Sequence, residues 1–139
     1  MNLTLRQEIM SDFFEKQHIE GLPFPAVIHH FTDIDRGDPH DHPFGFTSHV
    51  LFGAYKEEIF NIEPDGTCYR TSIKTRTAGS SHVVYPNTVH KIIGISKEGC
   101  YTLITPEEWV QEPAFYQFRD GLVYRRQWNE NEFKPLRTN

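Results

Sequence analysis

The chain has 139 residues, 14 Lys and Arg against 19 Asp and Glu, and a net charge of -5. That length suits a single domain over 1–139, and an acidic balance with no Lys or Arg cluster argues against a nucleic-acid partner. The polar start has no apolar targeting core and no run approaches the ~20 apolar residues of a membrane span, so no membrane partner and a cytoplasmic location are expected. Cys68 and Cys100 stand at unrelated spacing and read as two buried thiols, not a disulfide framework.

Taken in order, the chain opens with Thr4 and Gln7 at the spacing of a capping box. Leu5, Ile9, Met10, Phe13 and Phe14 then share a stripe, which predicts a helix within residues 1–20, packed on a sheet. Gly21, Pro23 and Pro25 end it. Residues 25–31 predict a first strand, on which His29 and His30 point to opposite faces. Residues 32–39 form a solvated acidic loop without the ordered spacing or distal Glu of a calcium loop.

From Phe46 the chain is strand-like as far as Ile62, with Gly53 marking a corner or bulge. A turn at Pro64, Asp65 and Gly66 leads into a returning strand over 67–77, on which Arg70, Lys74 and Arg76 share a face read as solvated. Residues 81–85 and 89–95 predict the next hairpin; its loop leaves open which way His82 points. A turn at 96–99, a strand over 100–105 and a turn or single helical turn at 106–110 follow. Residues 114–118 and 122–128 make a last hairpin about Asp120 and Gly121, and 129–139 read as a frayed tail. Short strands at this spacing, with Gly, Pro and Asp-Gly turns, predict an antiparallel all-β sandwich or barrel over 25–128, with a ligand cavity at one end.

The densest chemistry is His40-Asp41-His42 between Pro39 and Pro43. On a helix, residues at i and i+2 stand roughly 200° apart, whereas on an extended segment they share a face. The prolines exclude the helix. Two imidazoles converging from a strand are a common means of holding a divalent metal. Further along, Gly79, Tyr85, Pro86 and Asn87 precede His90, which opens a β-rich run.

These two stretches resemble the paired motifs of the cupin superfamily: His40 and His42 match the first histidine pair, Gly53 its closing glycine, and Gly79, Asn87 and His90 the second motif. Phe46 stands where the first motif has Glu, Tyr85 replaces a proline, and Gly94 stands at the final Asn. The pattern around His40 is also similar to a group of small bacterial and phage-associated cupins with no assigned reaction. The resemblance implies a double-stranded β-helix (jelly-roll) barrel and a metal centre of His40, His42 and His90, holding Fe, Ni or Zn. A small-molecule ligand follows, transformed by an oxygenase or isomerase type of reaction, or bound without tight metal and without catalysis. Asp41 and Ser48 are candidate partners orienting the rings; Phe46, His49, Tyr55, His82, Tyr85 and Tyr101 are candidate pocket residues. Metal-independent isomerisation would need a His base and a Tyr acid, drawn from Tyr55, Tyr85 and Tyr101. The resemblance also suggests a homodimer, with Phe115, Tyr116, Phe118, Tyr124 and Trp128 of the last hairpin as apolar surface to cover.

Overall fold

The computed structural model describes residues 2–66 and 69–136, so Cys68 and Thr67 lie outside the described residues. The strands are β1 (Thr4–Ser11), β2 (Phe14–Glu20), β3 (Ala26–Phe31), β4 (Phe46–Phe52), β5 (Ala54–Ile62), β6 (Tyr69–Thr77), β7 (Ser81–Val84), β8 (Val89–Ile95), β9 (Cys100–Pro106), β10 (Ala114–Arg119), β11 (Leu122–Gln127) and β12 (Lys134–Pro135). They form one six-stranded sheet, β1-β2-β3-β9-β4-β7, and two three-stranded sheets, β6-β5-β8 and β10-β11-β12. Among the described residues all strand pairings are antiparallel. His40 bridges to His90 on one side and to Phe115 on the other, joining the two small sheets.

The expected N-terminal helix is absent: residues 4–20 are a hairpin. Leu5 and Ile9, four apart, fit a helical stripe and a strand face equally. Cross-strand chemistry decides for the strand: Arg6 pairs with Glu20 (2.8 Å), Gln7 donates to Glu15 (2.8 Å), and Glu8 meets His18 (2.8 Å). β2 then docks on β3, where Phe14 stacks on Phe31 with centroids 4.3 Å apart. Nor do residues 81–95 make a hairpin. β7 pairs with β4 and β8 with β5, so the turn at 85–88 crosses between sheets, closed by Thr88 N donating to Tyr85 O. Pro106 ends β9, and residues 107–110 form irregular chain with no helical turn. The tail is not frayed as far as residue 136: β12 pairs with β11, and Leu136 N donates to Val123 O.

The β10–β11 hairpin turns at Asp120 (φ 52) and Gly121 (φ 73), the left-handed pair an Asp-Gly turn supplies. Of the aromatics expected to form an apolar surface there, Trp128 stays 54% exposed, while Arg119 lies over Tyr124, Arg126 over Phe115, and the other two pack inward. Tyr116 is buried, and Phe118 stacks on Phe60 at 4.4 Å and meets Tyr69. That hairpin core also holds Val89, Ala114 and Val123, while a second core gathers Val50, Tyr55, Ile92 and Cys100 against Phe31 and Ile95. Cys100 is a buried thiol.

Gly53 is the corner where β4 leaves the large sheet and β5 enters a small one. Its φ is +77, and Ser96 Oγ accepts from Ala54 N at 3.0 Å while donating to Gly99 O at 2.7 Å, pinning the bend. A Cβ here would fall on the Gly99 carbonyl and 2.7 Å from Ser96 Oγ, whereas at Gly79 (φ +91) it would meet nothing. Gly53→Ala is expected to cost more than about 2 kcal/mol in urea unfolding. Gly79→Ala should cost only the backbone penalty of about 1 kcal/mol.

Candidate metal centre

Proline-bounded and extended, residues 39–42 are stitched between strands by their backbones. His40 and His90 exchange N–H···O bonds of 3.1 Å in both directions; Tyr116 N donates to Pro39 O, and Asp41 N to Ala114 O. His42 N donates to Pro86 O at 3.0 Å, and the Gln111 amide donates to both His42 O and Pro86 O. The three imidazoles therefore have little backbone freedom. One ring nitrogen from each of His40, His42 and His90 lies within 4.8 Å of the others, and His42 Nε2 stands 3.0 Å from His90 Nε2. His42 and His90 are buried and His40 is half-buried.

Burial first, and then the neighbouring imidazoles, hold His42 far below the ordinary histidine range, at about 2. Burial and His90 likewise lower His40 to about 4, against the opposing pull of Asp35 and the Asp38 backbone. His40 and His42 are thus neutral at physiological pH, as metal ligands must be.

The sequence did not single out Glu57. It lies on β5 with only 1% of its surface exposed, and its Oε1 is 3.0 Å from His90 Nδ1. Arg76 Nε donates to Oε2 at 3.0 Å, so Arg76 turns inward from the row read as solvated, while Arg70 and Lys74 stay exposed. Burial raises the Glu57 carboxyl, but His90 and Arg76 outweigh it and hold it at about 2. An ionised Glu57 accepts from His90 Nδ1–H, which leaves the His90 Nε2 lone pair facing His42. The one signal in the sequence was an acid alternating with Tyr55 and Ile59 on a strand face that is otherwise apolar.

His82 projects into the interior on the same side. Its Nε2 is 3.3 Å from Tyr55 Oη and 3.6 Å from Glu57 Oε2, its Nδ1 is buried without a partner, and burial lowers its pKa. Ser48 is buried, faces His82 across β4 and β7, and bonds the Tyr55 hydroxyl. Phe46 stands edge-on to His42, centroids 5.2 Å apart, beside the triad. Asp41 does not orient the rings: its carboxylate accepts from Ala114 N (2.7 Å) and Tyr116 Oη (2.8 Å), fastening β10. His49 faces away from the triad and bonds Ser81 Oγ at 2.6 Å on the outer side. Tyr85 is 62% exposed, and Tyr101 stacks on His30 at 4.0 Å on the outer face of β9. Neither joins the site. His29 and His30 do point opposite ways, His29 packing against Phe14.

No protein-family model and no curated protein matches the sequence. Solved structures do match the fold. KdgF from Halomonas sp. is similar with a TM-score of 0.52 at 18% identity, covering 74% of this chain and 89% of that one. The Drosophila melanogaster CENP-C cupin domain gives 0.55 at 10%, covering 76% and 75%. Bacillus subtilis oxalate decarboxylase, described with Mn(II) centres, gives 0.56 at 15%, covering 79% of this chain but 28% of that one. Antiparallel strands in this arrangement, together with these likenesses, show that the chain has the fold of the cupin superfamily.

Proposed function

We propose that this cupin-fold chain binds one divalent transition metal through His40, His42 and His90 and presents it to a small-molecule ligand. The observation that carries the reading is the 3.0 Å separation of the His42 and His90 Nε2 atoms, the latter ring oriented by a buried carboxylate. Ligands about 2.1 Å from one ion stand roughly 3.0 Å apart at a right angle and roughly 3.4 Å apart at a tetrahedral one, so the pair is spaced for an ion. Three neutral nitrogens favour Fe, Ni or Zn over Mg or Ca. A bound ion would polarise a ligand oxygen or lower the pKa of water. Around it Glu57 holds the His90 tautomer, Phe46 gives an apolar wall, and the Tyr55–His82 pair offers a hydroxyl and an imidazole deeper in the interior. Whether turnover follows is set by the ligand.

A second reading has its own support: the same 3.0 Å also fits one proton shared between His42 and His90, in a chain ending on Glu57. That protein would bind its small molecule without tight metal. Calorimetric titration of untagged, chelator-treated protein with Zn, Ni and Fe(II) separates the two. One site per chain that His40→Ala, His42→Ala and His90→Ala each weaken by at least about a hundredfold supports the metal centre. No uptake by the folded wild type supports the second reading.

Glu57→Gln is expected to weaken metal binding roughly 10- to 100-fold, because the amide no longer fixes the His90 Nδ1–H. Unchanged affinity in a folded variant would remove Glu57 from the metal's environment.

The metal-free protein should lose stability in acid. An unfolded histidine titrates near 6.5, whereas folded His40 and His42 titrate at about 4 and about 2, and half-buried His29 at about 3. Between those values the unfolded chain binds more protons, so the stability these groups contribute is complete above about 6.5 and falls steadily as the pH drops through the folded values. Urea midpoints should therefore fall from pH 7 to pH 5, and His42→Leu should flatten the slope; a level profile in the wild type would contradict neutral, desolvated rings.

A further inference from the structure

β1 is an edge strand. It pairs with β2 on one side only, and among the described residues nothing covers the other. Residues 4–10 are all exposed, with Leu5 and Ile9 each at 64% and Leu3 at 53%. A free edge carrying apolar side chains is a template for another strand. Its lone charges, Arg6 and Glu8, flank Gln7 symmetrically.

We infer that β1 pairs antiparallel with β1 of a second copy of this chain, about a two-fold axis at Gln7. Residues opposite each other in a continuous sheet share a face, so only registers that match odd with odd and even with even positions are allowed. Three such registers overlap the strand centrally. Centred on Arg6, the pairing sets two guanidinium groups against each other; centred on Glu8, it sets two carboxylates against each other. Like charges directly opposite are unfavourable. Centred on Gln7, Arg6 of each copy faces Glu8 of the other, Leu5 faces Ile9, and the two glutamines face each other. Apolar contacts then lie on one face and ion pairs on the other, each occurring twice by symmetry. Arg6 and Glu8 already hold Glu20 and His18 within the chain, which fixes both side chains on that face. The six-stranded sheet would continue without a break into its twin. The pairing needs nothing from the histidine site.

Sedimentation equilibrium at micromolar concentration tests the self-pairing. The wild type should be a dimer, and Arg6→Glu or Glu8→Arg alone should weaken it roughly ten- to thirtyfold, because each replaces two attractive pairs with two repulsive ones. Combining the two reversals should restore the dimer. A monomeric wild type, or a dimer that neither reversal moves, overturns the inference. Circular dichroism identifies any variant that fails to fold, and the register has a separate readout in a Cys68→Ser background. There Gln7→Cys should oxidise to a covalent dimer, since residue 7 faces itself, while Glu8→Cys should not. The reverse pattern would overturn the register even if the chain dimerises.

Discussion

The buried carboxylate of Glu57 constrains the rest of the interior. An ionised group with 1% of its surface exposed persists only if its oxygens are matched by donors, and here one is taken by His90 and the other by Arg76. Removing either partner would strand a charge. Three consequences follow from this one requirement. Arg76 must reach inward from the edge strand β6; His90 must carry its proton on Nδ1; and the His90 Nε2 lone pair must face His42. The core beside the site is accordingly polar on the Glu57 side and apolar on the Phe46 side.

The backbone imposes the second constraint. His40 belongs to no strand, yet it bonds His90 in both directions and bridges to Phe115, so it is the seam between the two small sheets. Any shift of β8 against β10 would move two of the three imidazoles at once. Asp41, next in the chain, fastens the same seam by accepting from the first residue of β10 and from Tyr116. Site and architecture therefore share the same few bonds, and the loop carrying His40 and His42 is held as firmly as a strand.

What the sequence revealed divides along physical lines. The convergence of His40 and His42 was legible because two prolines forbid the helix that would separate the pair, whereas His90 was legible only through the likeness of its stretch to the second cupin motif. The Asp-Gly turn was legible because it needs two left-handed residues and those types supply them. The N-terminal hairpin was not, since Leu5 and Ile9 fit both periods and residues 4–10 are exposed, so burial could not arbitrate between them. Pairing of β7 and β8 with different sheets depends on contacts about thirty or more residues away along the chain, which no local signal carries. Arg76 looked like a solvated strand residue and Glu57 drew no notice, and only their meeting inside the fold shows their role. Asp41 stands between His40 and His42 in the chain, which suggests that it orients them, yet its oxygens face β10 and not the rings.

Phe46 gives the site its particular character. With an aromatic ring beside His42 where the cupin motif has an acid, the nearest carboxylate stands one residue removed, behind His90, and is already neutralised by Arg76. A divalent ion held by three neutral nitrogens keeps its full double charge, whereas a carboxylate ligand would cancel part of it. The apolar wall lowers the local dielectric, which strengthens that field toward anything entering the interior. Such a centre would favour an anionic or strongly dipolar oxygen ligand over a neutral one. Tyr55 and His82, the polar groups on the far side of Glu57, would meet only the part of a ligand that extends past the metal.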